Sequence, residues 1–223
     1  VKKILISIVA IASIAVLPLA AQAQTSQTWN EKSAELTKVL ETKGDPERGA
    51  AAFVPCQGCH RSDAMGKSSG AYPRLAGQHA SVLLKQMTDI RSGLRNNPKM
   101  EEYVEDHLAK PENMADIAAY VSALPIVEDK VGRGPGTAIQ AGKTLFERDC
   151  VQCHGNNGEG DAQKFYPMVA AQHYRYLLRE LHYIRDGDRG NSNPDMVKVV
   201  KPYREADLEA LADYMSSLPP PKK

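Results

Sequence analysis

Two five-residue stretches constrain this chain more than anything else in it: Cys56-Gln57-Gly58-Cys59-His60 and Cys150-Val151-Gln152-Cys153-His154. Together they use all 4 cysteines of the 223 residues. Two thiols three positions apart on a helical turn can both reach the vinyl edges of one porphyrin. A histidine directly after them can enter from below as the proximal ligand to its iron. That is the attachment pattern of c-type haem. A lone C-x-x-C also reads as a redox dithiol or as half a zinc site. The adjacent histidine, found twice with no cysteine left over, selects haem. The reading is therefore two c-type haems, each bonded through Cys56 and Cys59 or Cys150 and Cys153, with His60 and His154 on the irons.

The second constraint is an internal repeat. His60 and His154 are 94 positions apart, and the same offset relates Tyr72 to Tyr166, Gln78 to Gln172, His79 to His173, Arg91 to Arg185, Arg95 to Arg189 and Tyr120 to Tyr214. The chain divides into a first copy over 45–124, a linker over 125–136 rich in glycine (Gly132-Arg133-Gly134-Pro135-Gly136), and a second copy over 137–219. Each copy carries the same plan. A first helix holds Gly49 and Phe53, or Gly142 and Phe146, and leads into the haem motif. A glycine-rich loop follows, then a middle helix from about His79 to Gly93 or His173 to Gly187. A loop rich in Asn and Pro comes next. The last helix runs over Met114–Leu124 or Glu205–Leu218, with apolar residues at spacings of three and four. Strand signals are weak throughout, so the expected fold class is all-α.

Ahead of the repeat, Lys2 and Lys3, an apolar run from Ile4 to Ala20, and Ala21-Gln22-Ala23 have the order of a secretory signal peptide, assigned to 1–23. The competing reading is a retained membrane anchor; Pro18 and the small residues after it favour cleavage. Removing the leader takes the formal net charge from +1 to −1, which gives no case for nucleic acid or for a strongly charged partner. An oxidising compartment would ordinarily suggest disulfides, but the haem motifs outweigh that reading. Residues 24–44 are a polar extension with one short helix, read as opening on a capping box at Thr28-Trp29-Asn30-Glu31 and ending at Gly44-Asp45-Pro46.

An iron held by histidine on one side needs an accounting on the other. Met100, after Asn96-Asn97-Pro98, and Met196, after Asn193-Pro194, follow the middle helix in both copies and are the expected axial sulfur ligands. The repeat sets them above Met65, Met87, Met114, Met168 and Met215, which lack a methionine counterpart or lie in middle or last helices. A His–Met iron has both axial positions filled and a raised potential, which suits electron transfer. Pro73 and Pro167, each thirteen residues past a proximal histidine, are candidate carbonyl acceptors for its other ring N–H. Arg91, Arg95, Arg185 and Arg189 recur in register and are candidates for the haem propionates. His79 and His173 read as capping or surface groups. Gln78 and Gln172 read as polar contacts to haem or to the other domain.

Taken with the stretches Tyr72-Pro73-Arg74-Leu75-Ala76-Gly77-Gln78-His79 and Tyr166-Pro167-Met168-Val169-Ala170-Ala171-Gln172-His173, the chain resembles the dihaem cytochromes c of the c4 type. The resemblance implies two tandem class-I cytochrome c domains related by a pseudo-twofold axis. It also implies His/Met irons and a periplasmic or membrane-associated shuttle of single electrons between a redox protein donor and acceptor, for example toward a membrane-bound terminal oxidase. The competing class is a dihaem redox enzyme such as a peroxidase or thiosulfate dehydrogenase, or the electron-accepting subunit of one. An enzyme needs an open or unusual axial site, and no spare cysteine or distal acid–base group stands beside either motif.

Eighty residues is a marginal size for a single apolar core, so each copy is expected to depend on its haem. A chain with all four cysteines replaced by serine should be largely unstructured by circular dichroism and melt without cooperativity.

Overall fold

The computed structural model describes residue 29 and residues 31–222; the leader read at 1–23 lies outside them. Among the described residues there are eleven α-helices and no strand, only one isolated bridge between Asp161 and Tyr166. The N-terminal helix α1 is Ala34–Glu41. The first half then comprises α2 (Pro46–Ala52), α3 (Gln57–His60), α4 (Ala80–Arg91), α5 (Pro98–His107) and α6 (Pro111–Ala123). The second half comprises α7 (Ile139–Asp149), α8 (Val151–His154), α9 (Tyr174–Asp186), α10 (Pro194–Val200) and α11 (Glu205–Ser217).

Two boundaries differ from expectation. Of the capping box read at Thr28-Trp29-Asn30-Glu31, Thr28 and Asn30 lie outside the described residues; α1 itself opens on Ser33, its hydroxyl accepting from the Leu36 N–H at 3.0 Å just ahead of the apolar stripe. Leu36 and Val39 are buried, and α1 packs on α4 and α6. The Asn- and Pro-rich segments around Met100 and Met196 are not loops but the openings of α5 and α10. Proline at the first helical position costs no hydrogen bond, and the Asn193 side chain caps α10 by accepting from the Asp195 N–H at 2.8 Å. Each methionine is thus the third residue of a proline-led helix.

In each half the entry helix crosses the last helix at a glycine. A Cβ at Gly49 would lie 2.0 Å from the Asp116 carbonyl oxygen, and one at Gly142 1.9 Å from that of Ala210. Only glycine lets α2 meet α6, and α7 meet α11, so closely. One turn on, Phe53 packs on Tyr120 and Phe146 on Tyr214, with ring centroids 5.9 and 5.4 Å apart. These crossings anchor the start of each haem motif against the end of its own half.

The two halves meet through a reciprocal exchange, the pattern that a pseudo-twofold axis generates. Gln78 takes the Met168 N–H on Oε1 (2.9 Å) and donates from Nε2 to the Met168 carbonyl (3.0 Å). Gln172 does the same for Arg74, at 2.9 Å in both directions. Met168 and Arg74 are themselves repeat partners. His79 Nε2 reaches the Glu159 carbonyl at 2.7 Å, and His173 Nε2 reaches the Met65 carbonyl at 2.6 Å. Both histidines stand at the N-cap positions of α4 and α9, but their side chains do not cap, which corrects the reading of capping or surface groups: both rings bridge the halves, and His173 is fully buried. A capping role is legible within one copy, whereas this contact needs both.

Arg74 is a charged residue where its repeat partner is Met168, and it breaks the symmetry. Its guanidinium is buried and donates to the carbonyls of Ala171 (2.9 Å), Ala170 (3.0 Å) and Ala76. Burial lowers its pKa to about 10, which still leaves it charged at neutral pH. The connecting segment is also more than a tether. Gly132 donates to His173 Nδ1 at 2.9 Å and accepts from the Tyr174 N–H at 2.7 Å, while Asp213 accepts from the N–H groups of Gly136 and Ala138 at 3.0 Å each. A Cβ at Gly132 would lie 1.9 Å from the Ser68 carbonyl oxygen.

Replacing Arg74 with methionine, the residue its repeat partner carries, should destabilise the haem-loaded protein by about 2–4 kcal/mol. Three charge-assisted bonds vanish and buried carbonyls lose their donors. Chemical denaturation should show this, with the two halves beginning to unfold separately. A second expectation concerns pH. Because Gly132 donates to Nδ1, His173 is held as the neutral tautomer with its hydrogen on Nε2, and burial lowers its pKa. The stability it contributes is present above the unfolded-state value near 6.5 and is lost as pH falls through the depressed folded-state value. The difference in denaturation midpoint between the native chain and His173→Gln should therefore shrink from pH 7 toward pH 5.

Candidate haem centres

Helix α3 presents Cys59 and His60 to a cavity of ≈ 540 Å³ that Cys56, Tyr72, Pro73 and Met100 also line. Its apolar walls include Leu83, Ile90, Ile117 and Val121. The His60 Nδ1 lies 3.4 Å from the Pro73 carbonyl, and burial lowers the imidazole pKa to about 4. The ring is thus neutral, with Nδ1–H on the carbonyl and the Nε2 lone pair left available. Tyr72 stands edge-on to His60 at 6.2 Å between centroids, and its hydroxyl meets Cys59, a contact that raises the phenol pKa.

The second half repeats the arrangement. Nδ1 of His154 lies 3.0 Å from the Pro167 carbonyl, and burial again lowers its pKa. Burial, with Cys153 beside the hydroxyl, raises the phenol of Tyr166. Met196 packs half-buried against the core that holds Phe146, Cys150, Leu177 and Leu181. Burial pushes the Cys56 thiol up to about 11 and the Cys150 thiol up to about 12, far from the depressed values of a reactive dithiol. Among the described residues no group of three or more His, Cys, Asp or Glu converges on a separate metal site.

A paired thiol, an oriented neutral imidazole and a thioether around one apolar cavity are the donor set a c-type haem requires. The cavity volume also falls within the roughly 300–1,000 Å³ of ligand-burying pockets, so the residues fit the group. The family model for cytochrome c matches twice, over residues 46–125 and 139–219. The chain belongs to the cytochrome c family. It is a dihaem electron-transfer protein of the c4 type and carries two c-type haems. The thiosulfate dehydrogenase electron acceptor of Stutzerimonas stutzeri is 32% identical over 90% of this chain and 94% of its own. Cytochrome c4 of Azotobacter vinelandii is 29% identical over 82% of this chain and 93% of its own. The crystal structure of reduced recombinant cytochrome c4 from Pseudomonas stutzeri superposes with a TM-score of 0.70 at 29% identity, covering 78% of this chain and 99% of that one.

The four arginines expected at the propionates of this cytochrome divide into two pairs. Arg95 and Arg189 line the cavity and form one cluster across the halves: both reach Gln86 Oε1, at 2.9 and 3.0 Å, and both reach Glu180 Oε2, at 3.2 and 2.7 Å. Arg91 and Arg185, expected beside the propionates, are engaged elsewhere. Arg91 bonds the Leu108 carbonyl and Glu35, and Arg185 pairs with Asp186 and Glu205. Arg91 and Arg185 lie in the last turns of α4 and α9 and make these contacts within their own half or with α1, whereas Arg95 and Arg189 follow the helix ends. Met87 also lines the cavity, as part of the α4 wall; its repeat partner Leu181 has no donor atom. Sequence reasoning missed Gln86 and Glu180, although they too obey the 94-residue offset. It also missed the buried ion pair Lys85–Asp89 at 2.7 Å, which Asn191 joins by donating to Asp89 at 2.7 Å.

Proposed function

We propose that Cys56 and Cys59, and Cys150 and Cys153, form the thioether bonds to the two haems, that His60 and His154 are the proximal ligands, and that Met100 and Met196 close the distal positions. The observation that carries this is the shared cavity of His60, both first-half cysteines and Met100. A bound c-type haem supplies a one-electron Fe(III)/Fe(II) couple. The rest falls to the chain. Pro73 and Pro167 hold each imidazole in one orientation through Nδ1. The apolar helices α4 and α6 keep water from the first pocket, and Arg95 and Arg189 supply donors where the halves meet. Filled axial positions leave no place for a substrate, so the protein accepts and passes single electrons without transforming a molecule.

The leader at 1–23 supports a periplasmic location, where haem attachment follows export. For the donor, the likeness to the Stutzerimonas stutzeri thiosulfate dehydrogenase electron acceptor supports a thiosulfate-oxidising enzyme. So does the superposition on the thiosulfate dehydrogenase TsdBA of Marichromatium purpuratum, with a TM-score of 0.66 and 32% identity, covering 78% of this chain and 40% of that one. The acceptor would be a further redox protein such as a membrane oxidase, met by peripheral association.

Met100→Ala and Met196→Ala should each abolish the sulfur-to-iron charge-transfer band of one haem, leave the other unchanged, and lower the affected potential. Optical redox titration of both variants reads this out. A variant that keeps both bands would remove its methionine from the ligand set.

A further inference from the structure

The two tyrosines that flank the haem motifs are repeat partners in unlike surroundings. Tyr72 lines the first cavity, and the exposed Lys67 and Lys99 place Nζ 5.1 and 5.7 Å from its ring centroid. At the second site the counterpart of Lys67 is Asp161. The residue before the methionine, Lys99 in the first half, is Asp195. The face of Tyr166 is covered. Trp29, from the segment that precedes both domains, stacks on it with centroids 5.8 Å apart and planes at 17°. Three contacts hold the indole there. Its Nε1 donates to the Asn191 carbonyl at 2.9 Å, the buried Lys85 ammonium lies 5.4 Å from its ring, and its flank packs on the first core. Lys85 comes from α4 of the first half, whereas Tyr166 and Asn191 belong to the second. No repeat-related tryptophan exists to cover Tyr72, since Trp29 is the only one in the chain.

We propose that Trp29 caps the tyrosine edge of the second domain, so that electrons are exchanged with partners at the first domain's open edge, framed by Tyr72, Lys67 and Lys99, and reach the second haem through the first. The inference rests on the two-haem reading given above. A flat indole over Tyr166 keeps a partner from approaching within contact of Cys153. The same ring bonds both halves and so fixes the spacing between them. Lys67 and Lys99 make the open edge cationic, suited to a redox protein with an acidic surface, although Glu101 and Glu102 lie a short way along α5 and moderate that charge.

The test uses the haem-loaded, reduced protein with the neutral nitroxide TEMPOL as a contact probe. Mass spectrometry and the sulfur-to-iron band of the oxidised form are recorded first, so that loss of haem or of a ligand is seen separately from loss of the cap. In the native chain, TEMPOL should broaden the ring signals of Tyr72 several-fold more than those of Tyr166. In Trp29→Ala the Tyr166 signals should broaden to match, with Tyr72 unchanged; Trp29→Phe should stay close to native. Should Trp29→Ala fail to load haem, Trp29→Leu keeps apolar volume without the flat ring and is read the same way. Oxidation by hexacyanoferrate(III), one electron per anion to give hexacyanoferrate(II), should slow several-fold in Lys67→Glu/Lys99→Glu. Equal broadening of the two tyrosines in the native chain, Tyr166 broadening that does not respond to loss of the indole, or an oxidation rate indifferent to the two lysines would each overturn the proposal.

Discussion

Gln78 and Gln172 each hydrogen-bond both backbone groups of one residue in the opposite half, and the rest of the molecule depends on that exchange. A side-chain amide that mimics a peptide satisfies the N–H and the C=O together. It can therefore join two buried chain segments without leaving either group unpaired. With His79 and His173 doing the same work one residue further on, the two halves are locked in a single register. That register brings Arg95 and Glu180, and Arg189 and Gln86, into one cluster beside the first haem cavity. The distance and facing of the two redox centres follow from side chains that touch neither iron.

Symmetry alone would make the two centres equal, and several residues prevent it. Arg74 fills with a buried charge the place that Met168 fills with an apolar chain, and its donors tie the 170–171 carbonyls to the first half. An aspartate of the last helix fastens the entrance of each half, Asp116 accepting from the Asp45 N–H and Asp213 from the Ala138 N–H, but only the second entrance is also tied to a histidine, through Gly132 and His173. The indole of Trp29 stacks on the tyrosine of the second half and has no counterpart over Tyr72. Burial, local charge and solvent access tune a haem potential. A duplicated chain with such differences places its two haem sites in unlike surroundings.

Each half has a small apolar core built on a glycine crossing and an aromatic pair. A core of that size is marginal without a further apolar body at its centre. A haem bonded within each half would supply such a body. The close helix crossings hold one end of each haem motif against the last helix of its half.

Much was legible in the residues alone because it is written in local spacing. The thiol–thiol–imidazole triplet, the carbonyls thirteen residues past each histidine and the helical periodicities all depend on contacts along one stretch of chain or on an offset that repeats; the helices that carry Met100 and Met196 do not show in that spacing and read as loops. What the fold decided are the contacts between copies and the choice among equivalent side chains. Arg95 and Arg189 turn to the cavity while Arg91 and Arg185 turn away. The His173 side chain bridges the halves instead of capping α9, and a tryptophan more than a hundred residues from Tyr166 lies flat upon that tyrosine. Periodicity states which side chains share a face; it cannot state which face meets the other half. That follows from how two folded surfaces satisfy each other's buried polar groups, a condition with no expression until both are formed.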